Sequence, residues 1–568
     1  MSKVDGTIEP KEISPETQSP PVTEAPPPLA KAPSDDLGLK REPIAKWRLA
    51  TILVSIGAGL FLSLMDTTVV ATMLASISDE FGGFKLAPWV LLSYTLSYLG
   101  CTVLIARLSD VVGRKPVLVG SFVIFLAASM ACGAASTLDQ LIGFRAAQGV
   151  GGAGLYAMTM IVYPEISPPN LVPMLSAILG IIVALAGVSG PVIGGLLATY
   201  ADWRWAFWIN GPIGIIPAIA LFFAWPKNFW TFKKVPFKHL DFLGALLLMM
   251  ATVLLVFIIN QATVRDYAWN SPQTIAVLAL SGSAWFVLAW WQWYLSKAPS
   301  LGHIRPQIPW RLLSHRVLMS STVSTILTGF VMYVAIVNIP MRAQIVNLYD
   351  EVRSGVLLLP LMGATAVGSA LGGAFQSKEN RTFWTLNAAS IFMLVGCGIM
   401  SILPDTVDVA AKQWGFEVIL GFGIGMNLST ATLLTSLNAD FQDFAIAQGL
   451  VAQMRVLGGS LGVAASFIVL NSRIAETLTD VLTPDELEDF YRSPIVTYSF
   501  DVPKQLAVRT TYIEAFEITM YVCVGISAAC LIASLCTYQS NPPSIKKRLE
   551  DLEAIYARTA ANNEETSP

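Results

Sequence analysis

Asp66, Arg145, Gln148 and Arg455 stand in stretches made otherwise almost wholly of apolar and small residues. An ionisable group in such a stretch costs several kcal/mol unless it is paired or faces water. Asp66 lies about two-thirds along its apolar run and Arg145 about six residues from the end of its own. By rise per residue, both then sit at similar depth, roughly 10 Å below one surface. A carboxylate that loses a neighbouring cation becomes the better proton acceptor. Proton uptake and release inside lipid is therefore the chemistry this pair suits; the alternative is a structural ion pair. Gln148, three residues after Arg145, shares its helix face and can hydrogen-bond it.

A second group is less concentrated. Arg455 lies about eleven residues into its run, near the midplane, and should face a cavity or a carboxylate. Asn427, Gln448 and Gln453 are cavity candidates, or else bonds between helices. Asn338 and Glu417 lie nearer a rim. Trp89, Tyr94, Tyr98, Tyr156 and Tyr333 could line an apolar cavity or belong to interfacial belts. Gly187, Gly190, Pro191, Gly194 and Gly195 form a smooth stretch in a charge-free run. On a helix, Gly180, Ala184, Gly187, Pro191, Gly194 and Ala198 share one face, open to a close neighbour. Pro191 removes a hydrogen bond and loosens the helix there.

The elements that must hold these residues are membrane helices. Of 568 residues, 54% are hydrophobic and only 13% are charged; mean hydropathy is +0.59. The charged share is about half that of soluble domains. Apolar runs predict fourteen spans at about 47–73, 87–106, 116–134, 138–162, 171–198, 205–225, 241–261, 272–294, 317–340, 356–375, 382–402, 414–437, 444–470 and 512–538. The expected fold is an all-α polytopic membrane protein. Its divisions are a disordered tail (1–46), a six-helix bundle (47–226), basic loops with two linker helices (227–316), a second six-helix bundle (317–538) and a tail (539–568). Loops carrying Arg107/Arg114/Lys115, Lys227/Lys233/Lys234/Lys238, Arg305/Arg311/Arg316 and Lys378/Arg381 place both termini in the cytoplasm. Arg342 and Arg353 disagree mildly. The plasma membrane is the expected location, the vacuolar membrane the alternative.

The net charge of −3 points to no nucleic acid. The six cysteines and three histidines show no metal or disulfide spacing, and the cysteines read as packing residues. No nucleophile motif or P-loop is found, so neither an enzyme nor direct ATP drive is expected. No cofactor and no metal is expected.

A faint repeat relates Gln148-Gly149-Val150-Gly151-Gly152-Ala153-Gly154 in the fourth span to Leu420-Gly421-Phe422-Gly423-Ile424-Gly425 in the twelfth. In this register Arg145 corresponds to Glu417. Four further segments carry a resemblance. One is the loop Ala106-Arg107-Leu108-Ser109-Asp110-Val111-Val112-Gly113-Arg114-Lys115-Pro116. The others are Arg145-Ala146-Ala147-Gln148-Gly149, the 187–195 stretch, and Leu64-Met65-Asp66-Thr67-Thr68-Val69-Val70. The segment Trp203-Arg204-Trp205-Ala206-Phe207-Trp208-Ile209-Asn210 has the same look. Together they resemble the major facilitator superfamily, and within it the fourteen-span drug:proton antiporter branch of fungal type. Ala106 replaces a usual glycine and Val111 a usual arginine. After the fourth span, Pro164-Glu165-Ile166-Ser167-Pro168-Pro169 departs from an arginine-bearing loop.

The resemblance implies alternating access of two bundles, with a proton gradient driving export of small amphipathic compounds such as drugs, toxins or secondary metabolites. The rival is a proton-coupled importer, a siderophore or nutrient symporter. It also implies that Asp110, Gly113 and Arg114 form a cytoplasmic gate that clamps the two bundles, and that the 187–195 helix is an antiporter motif. The expected partners are a small-molecule substrate, protons and the bilayer, with the chain a monomer.

Overall fold

In a computed structural model, the described residues are 45–81, 88–167, 171–226, 239–263, 268–298, 304–376, 379–404, 409–440, 443–492, 497 and 500–544. The expected disordered N-terminal tail up to residue 44, the basic loop 227–238 and the tail beyond 544 lie outside them.

Eighteen helices follow in order among the described residues. The first bundle holds α1 (Lys46–Phe81), α2 (Pro88–Val112), α3 (Arg114–Gly133), α4 (Leu138–Ile166), α5 (Val172–Tyr200), α6 (Trp205–Trp208) and α7 (Asn210–Ala224). The inserted pair is α8 (Phe242–Thr263) and α9 (Pro272–Lys297), followed by short α10 (Trp310–Ser314). The second bundle has α11 (Arg316–Ile345), α12 (Glu351–Val356), α13 (Leu359–Phe375), α14 (Thr382–Met400) and α15 (Ala411–Asn438). It ends with α16 (Phe444–Thr477), short α17 (Pro484–Arg492) and α18 (Val502–Leu535).

Thirteen stretches are long and apolar enough to cross a membrane, two of them joining α6 to α7 and α12 to α13. The fourth predicted span, α4, is 29 residues long but is not among the thirteen. Gln148, Gly149, Gly151, Gly152 and Gly154 dilute its hydropathy. Two predicted spans are broken by proline. Pro212 lacks the N–H that would bond Trp208, and the ladder is interrupted at Ile209 between α6 and α7. Pro360 does the same between α12 and α13. By contrast α5 stays helical through Pro191. Helices α1 and α16 run well past their predicted ends, α18 begins at Val502 rather than near 512, and α17 occupies the loop that follows α16.

Tyr163 Oη at the end of α4 donates to Leu53 O near the start of α1 (2.7 Å). Arg316 at the start of α11 donates to Cys536 O (2.5 Å) and Tyr538 O (2.6 Å) after α18. Arg114 joins Glu165 at the end of α4, and Arg107 near the end of α2 donates to Pro306 O shortly before α11, so the start of α1 and the end of α18 share one face, here the terminal face; the opposite one is the far face.

Two buried apolar cores form. One spans α1–α7 and takes in Ala445, Ile446, Leu450 and Leu457 of α16. The other spans α11–α18 and takes in Val183 and Ala184 of α5. Contact between bundles runs through α5 against α12 and α13, and α16 against α2 and α4. Residues 151–163 of α4, 423–437 of α15 and 445–459 of α16 are buried on every face. All three segments are the terminal-face portions of their helices. Amphipathic helices leave one face open, so these are enclosed by protein at that end, where the bundles are sealed. Helix α8 packs on α2 of the first bundle and α16 of the second.

Candidate functional site

Asp66 of α1 and Arg145 of α4 are 1% and 0% exposed and form an ion pair through Asp66 Oδ2 and Arg145 Nη1. The same Nη1 donates to Gln148 Oε1 (2.8 Å), and Gln148 Nε2 donates to Asp66 Oδ1 (2.9 Å). Arg145 Nε donates to Val90 O (3.1 Å), and the guanidinium lies 4.3 Å from the Tyr94 ring centroid. Sequence reasoning missed the fourth member. Asn210, the first residue of α7, donates to Asp66 Oδ1 (3.1 Å) and Ser129 Oγ (3.0 Å). Its signal was its place at the end of the quoted 203–210 segment, just after the break that Pro212 imposes.

The carboxylate thus accepts from a guanidinium and two amides, all buried. The network joins α1, α4 and α7 through side-chain hydrogen bonds alone.

At the terminal face, Gly113 has φ 107°, a left-handed conformation that lets α2 turn tightly into α3. Arg114 just beyond donates to Asp110 Oδ1 (2.6 Å), Ser109 Oγ (2.5 Å) and both oxygens of Glu165 (3.0 and 2.8 Å). These contacts tie α2, α3 and α4 together within the first bundle. Glu165, taken as a departure, is the acid that completes the cluster. Arg107 is the loop residue that reaches outward, donating to Pro306 O before α10. Lys115 lies over the Phe222 ring at 4.5 Å.

The glycine stretch of α5 meets two neighbours. A Cβ on Gly187 would sit 3.0 Å from Met362 Sδ of α13, and Gly355 of α12 lies against Pro191. On the other side, a Cβ on Gly190 would sit 1.8 Å from Thr68 Oγ1 of α1. Gly194 and Gly195 are buried further along. The smooth helix is thus wedged between its own bundle and the other.

Where α4 and α2 meet α16, Arg455 Nη1 donates to Tyr156 Oη (2.8 Å) and Gln453 Nε2 to Leu99 O (2.8 Å). Tyr94, Tyr98 and Tyr156 form a file, with centroids 5.8 and 5.9 Å apart. Arg455, Gln453 and Tyr156 are therefore on the seam between bundles. Asn427 is not: its amide donates to Ser324 Oγ (3.0 Å) inside the second bundle, with Cys530 beside it. Gln448 likewise bonds Thr432 O and Ser436 Oγ. Glu417, the repeat counterpart of Arg145, is buried and bonded to Gln413 of its own helix (2.8 Å). Of the cysteines, Cys536 is exposed rather than packed.

A sequence profile described as Major Facilitator Superfamily matches residues 56–463. The chain belongs to the major facilitator superfamily. Like other members it is an integral membrane transporter of small molecules, not an enzyme. It is 32% identical to the MFS-type transporter FPY5 of Fusarium mangiferae, over 87% of this chain and 84% of that one. It is 29% identical to multidrug resistance protein 3 of Bacillus subtilis (strain 168), over 76% and 81%. The MFS-type efflux pump LUC4 of a Fusarium species is 27% identical, over 76% of each. Among solved structures, a bacterial homolog of the human lysosomal transporter Spinster, inward-facing and unoccupied, shares the major facilitator fold. Its TM-score is 0.53 at 15% identity, covering 88% of this chain and all of that one.

Proposed function

We propose that this superfamily member is a proton-coupled exporter of small amphipathic compounds, working by alternating access. The observation that carries the reading is the buried network of Asp66, Arg145, Gln148 and Asn210. It joins α1, α4 and α7, so a change in Asp66 protonation must change how these helices are held. The names of relatives, a multidrug resistance protein and an efflux pump, support export over import.

In this reading the terminal face is cytoplasmic, the bundles are closed on that side, and the chain acts as a monomer in the plasma membrane. The siderophore or nutrient importer is the reading that export must beat. The test uses inside-out vesicles holding the full chain and an imposed proton gradient. An exporter accumulates a fluorescent amphiphile inside them, whereas an importer does not. Asp66→Asn should abolish the gradient-driven part and leave downhill exchange; undiminished gradient-driven accumulation by this variant sinks the coupling role.

A further inference from the structure

Arg455 is a buried cation whose charge has no partner. Its side chain reaches from α16 across the seam, and its hydrogen bond goes to a neutral group, Tyr156 Oη at 2.8 Å. Nε and Nη2 are buried without hydrogen-bond partners, and the residue is 4% exposed. No described carboxylate lies within ion-pair distance of it. Two buried arginines of the first bundle differ: Arg145 has Asp66, and Arg114 has Asp110 and Glu165. Arginine keeps its charge even when buried, and an unpaired charge at this depth is costly.

The residue is also held in place. Gly329 of α11 packs so closely that an added Cβ would sit 2.2 Å from Arg455 O. The backbone is fixed from behind while the guanidinium faces the first bundle. Around it stand aromatic walls: Tyr156 with Tyr98 beside it, Tyr94 next in the file, and Tyr333 of α11 within electrostatic reach of both Tyr156 and Arg455. Arg455 lies eleven residues into α16 and Tyr156 ten residues before the end of α4, so both are about 15 Å from the terminal face. That is the midplane, where the bundles must part for a substrate to enter.

We infer that the substrate is an organic anion, an aromatic or amphipathic acid whose carboxylate or equivalent oxyanion pairs with Arg455 while its body lies against the tyrosines. The two free N–H groups form the fork that binds an oxyanion in bidentate fashion. The inference rests on the transporter reading but not on its direction or drive.

The test measures equilibrium binding to the full chain in detergent, with no gradient, so it stands apart from the vesicle experiment. Matched probes are 1-naphthoate against 1-naphthamide, and octanoate against octanamide. The anion of each pair should bind roughly tenfold or more tightly than its amide. Arg455→Gln should abolish that preference and Arg455→Lys should keep most of it. Equal affinity of anion and amide in the native chain overturns the inference, as does a preference that survives Arg455→Gln. Should that variant not elute as a single folded species, the comparison in the native chain remains decisive. A substrate-binding transporter that ignores the probe charge leaves export intact and removes only the anion. A failed Asp66→Asn test with a clear anion preference does the reverse.

Discussion

At the level of single residues, charge in an apolar run is conspicuous, and Asp66, Arg145 and Gln148 were legible for that reason. Asn210 was not, because an amide before Gly211 and Pro212 reads as turn chemistry. Glu165 was hidden by Pro164, which suggested a helix end where α4 in fact continues to Ile166. Asn427 misled for a different reason. Residues 423–437 of α15 are buried on every side, so helical periodicity cannot separate a cavity-facing amide from one that bonds a neighbouring helix. Glu80, beyond the bilayer end of α1, offers a pH prediction. Arg204 donates to both its oxygens (2.9 and 2.8 Å) and Trp203 Nε1 to one (2.6 Å), which holds its carboxyl below the usual carboxylate range. A depressed acid stabilises the folded state fully above its unfolded value, near 4.5, and loses that contribution as pH falls through its lower folded value. At 43% exposure the effect is small. Native protein and Glu80→Gln should therefore differ in thermal midpoint at pH 7 and converge in more acid solution.

Elements were easier to foresee than their joints. The long helices follow from apolar length, but where a span breaks depends on one missing N–H, as at Pro212 and Pro360. The α5 stretch was legible as a surface without side chains; which helices press on it was not. That geometry separates two substitutions of the same size. Gly190→Ala meets Thr68 Oγ1 and Cβ at 1.8 and 2.6 Å and the Val69 backbone N at 3.0 Å. It must push α1 and α5 apart, and should cost about 1–3 kcal/mol with most of the transport rate. Gly187→Ala meets the flexible end of Met362 at 3.0 Å and should leave stability within about 1 kcal/mol of native. Thermal unfolding and vesicle flux on the pair read both effects; equal damage would remove the distinction.

For the molecule as a whole, the seal at the terminal face can be locked. Ala106 Cβ of α2 lies 3.1 Å from where a Cβ on Gly449 of α16 would be. Cysteines at both positions, with Cys101 removed, fall within reach of a disulfide given a small backbone shift. Oxidation should stop transport and a reductant should restore it, whereas oxidation without effect on flux would mean these ends never separate.

Helix α8 joins the two bundles. It lies on α2 and α16 at once, Met249 fills the space beside Gly100, and Asn471 beyond the bilayer end of α16 donates to Thr263 O at its far end (2.7 Å). If the bundles rock as proposed, a tether spanning the gap on this flank makes the swing lopsided. The bundles would open as a book opens, widest away from the spine, and the longest cargo should lie along the α5 flank.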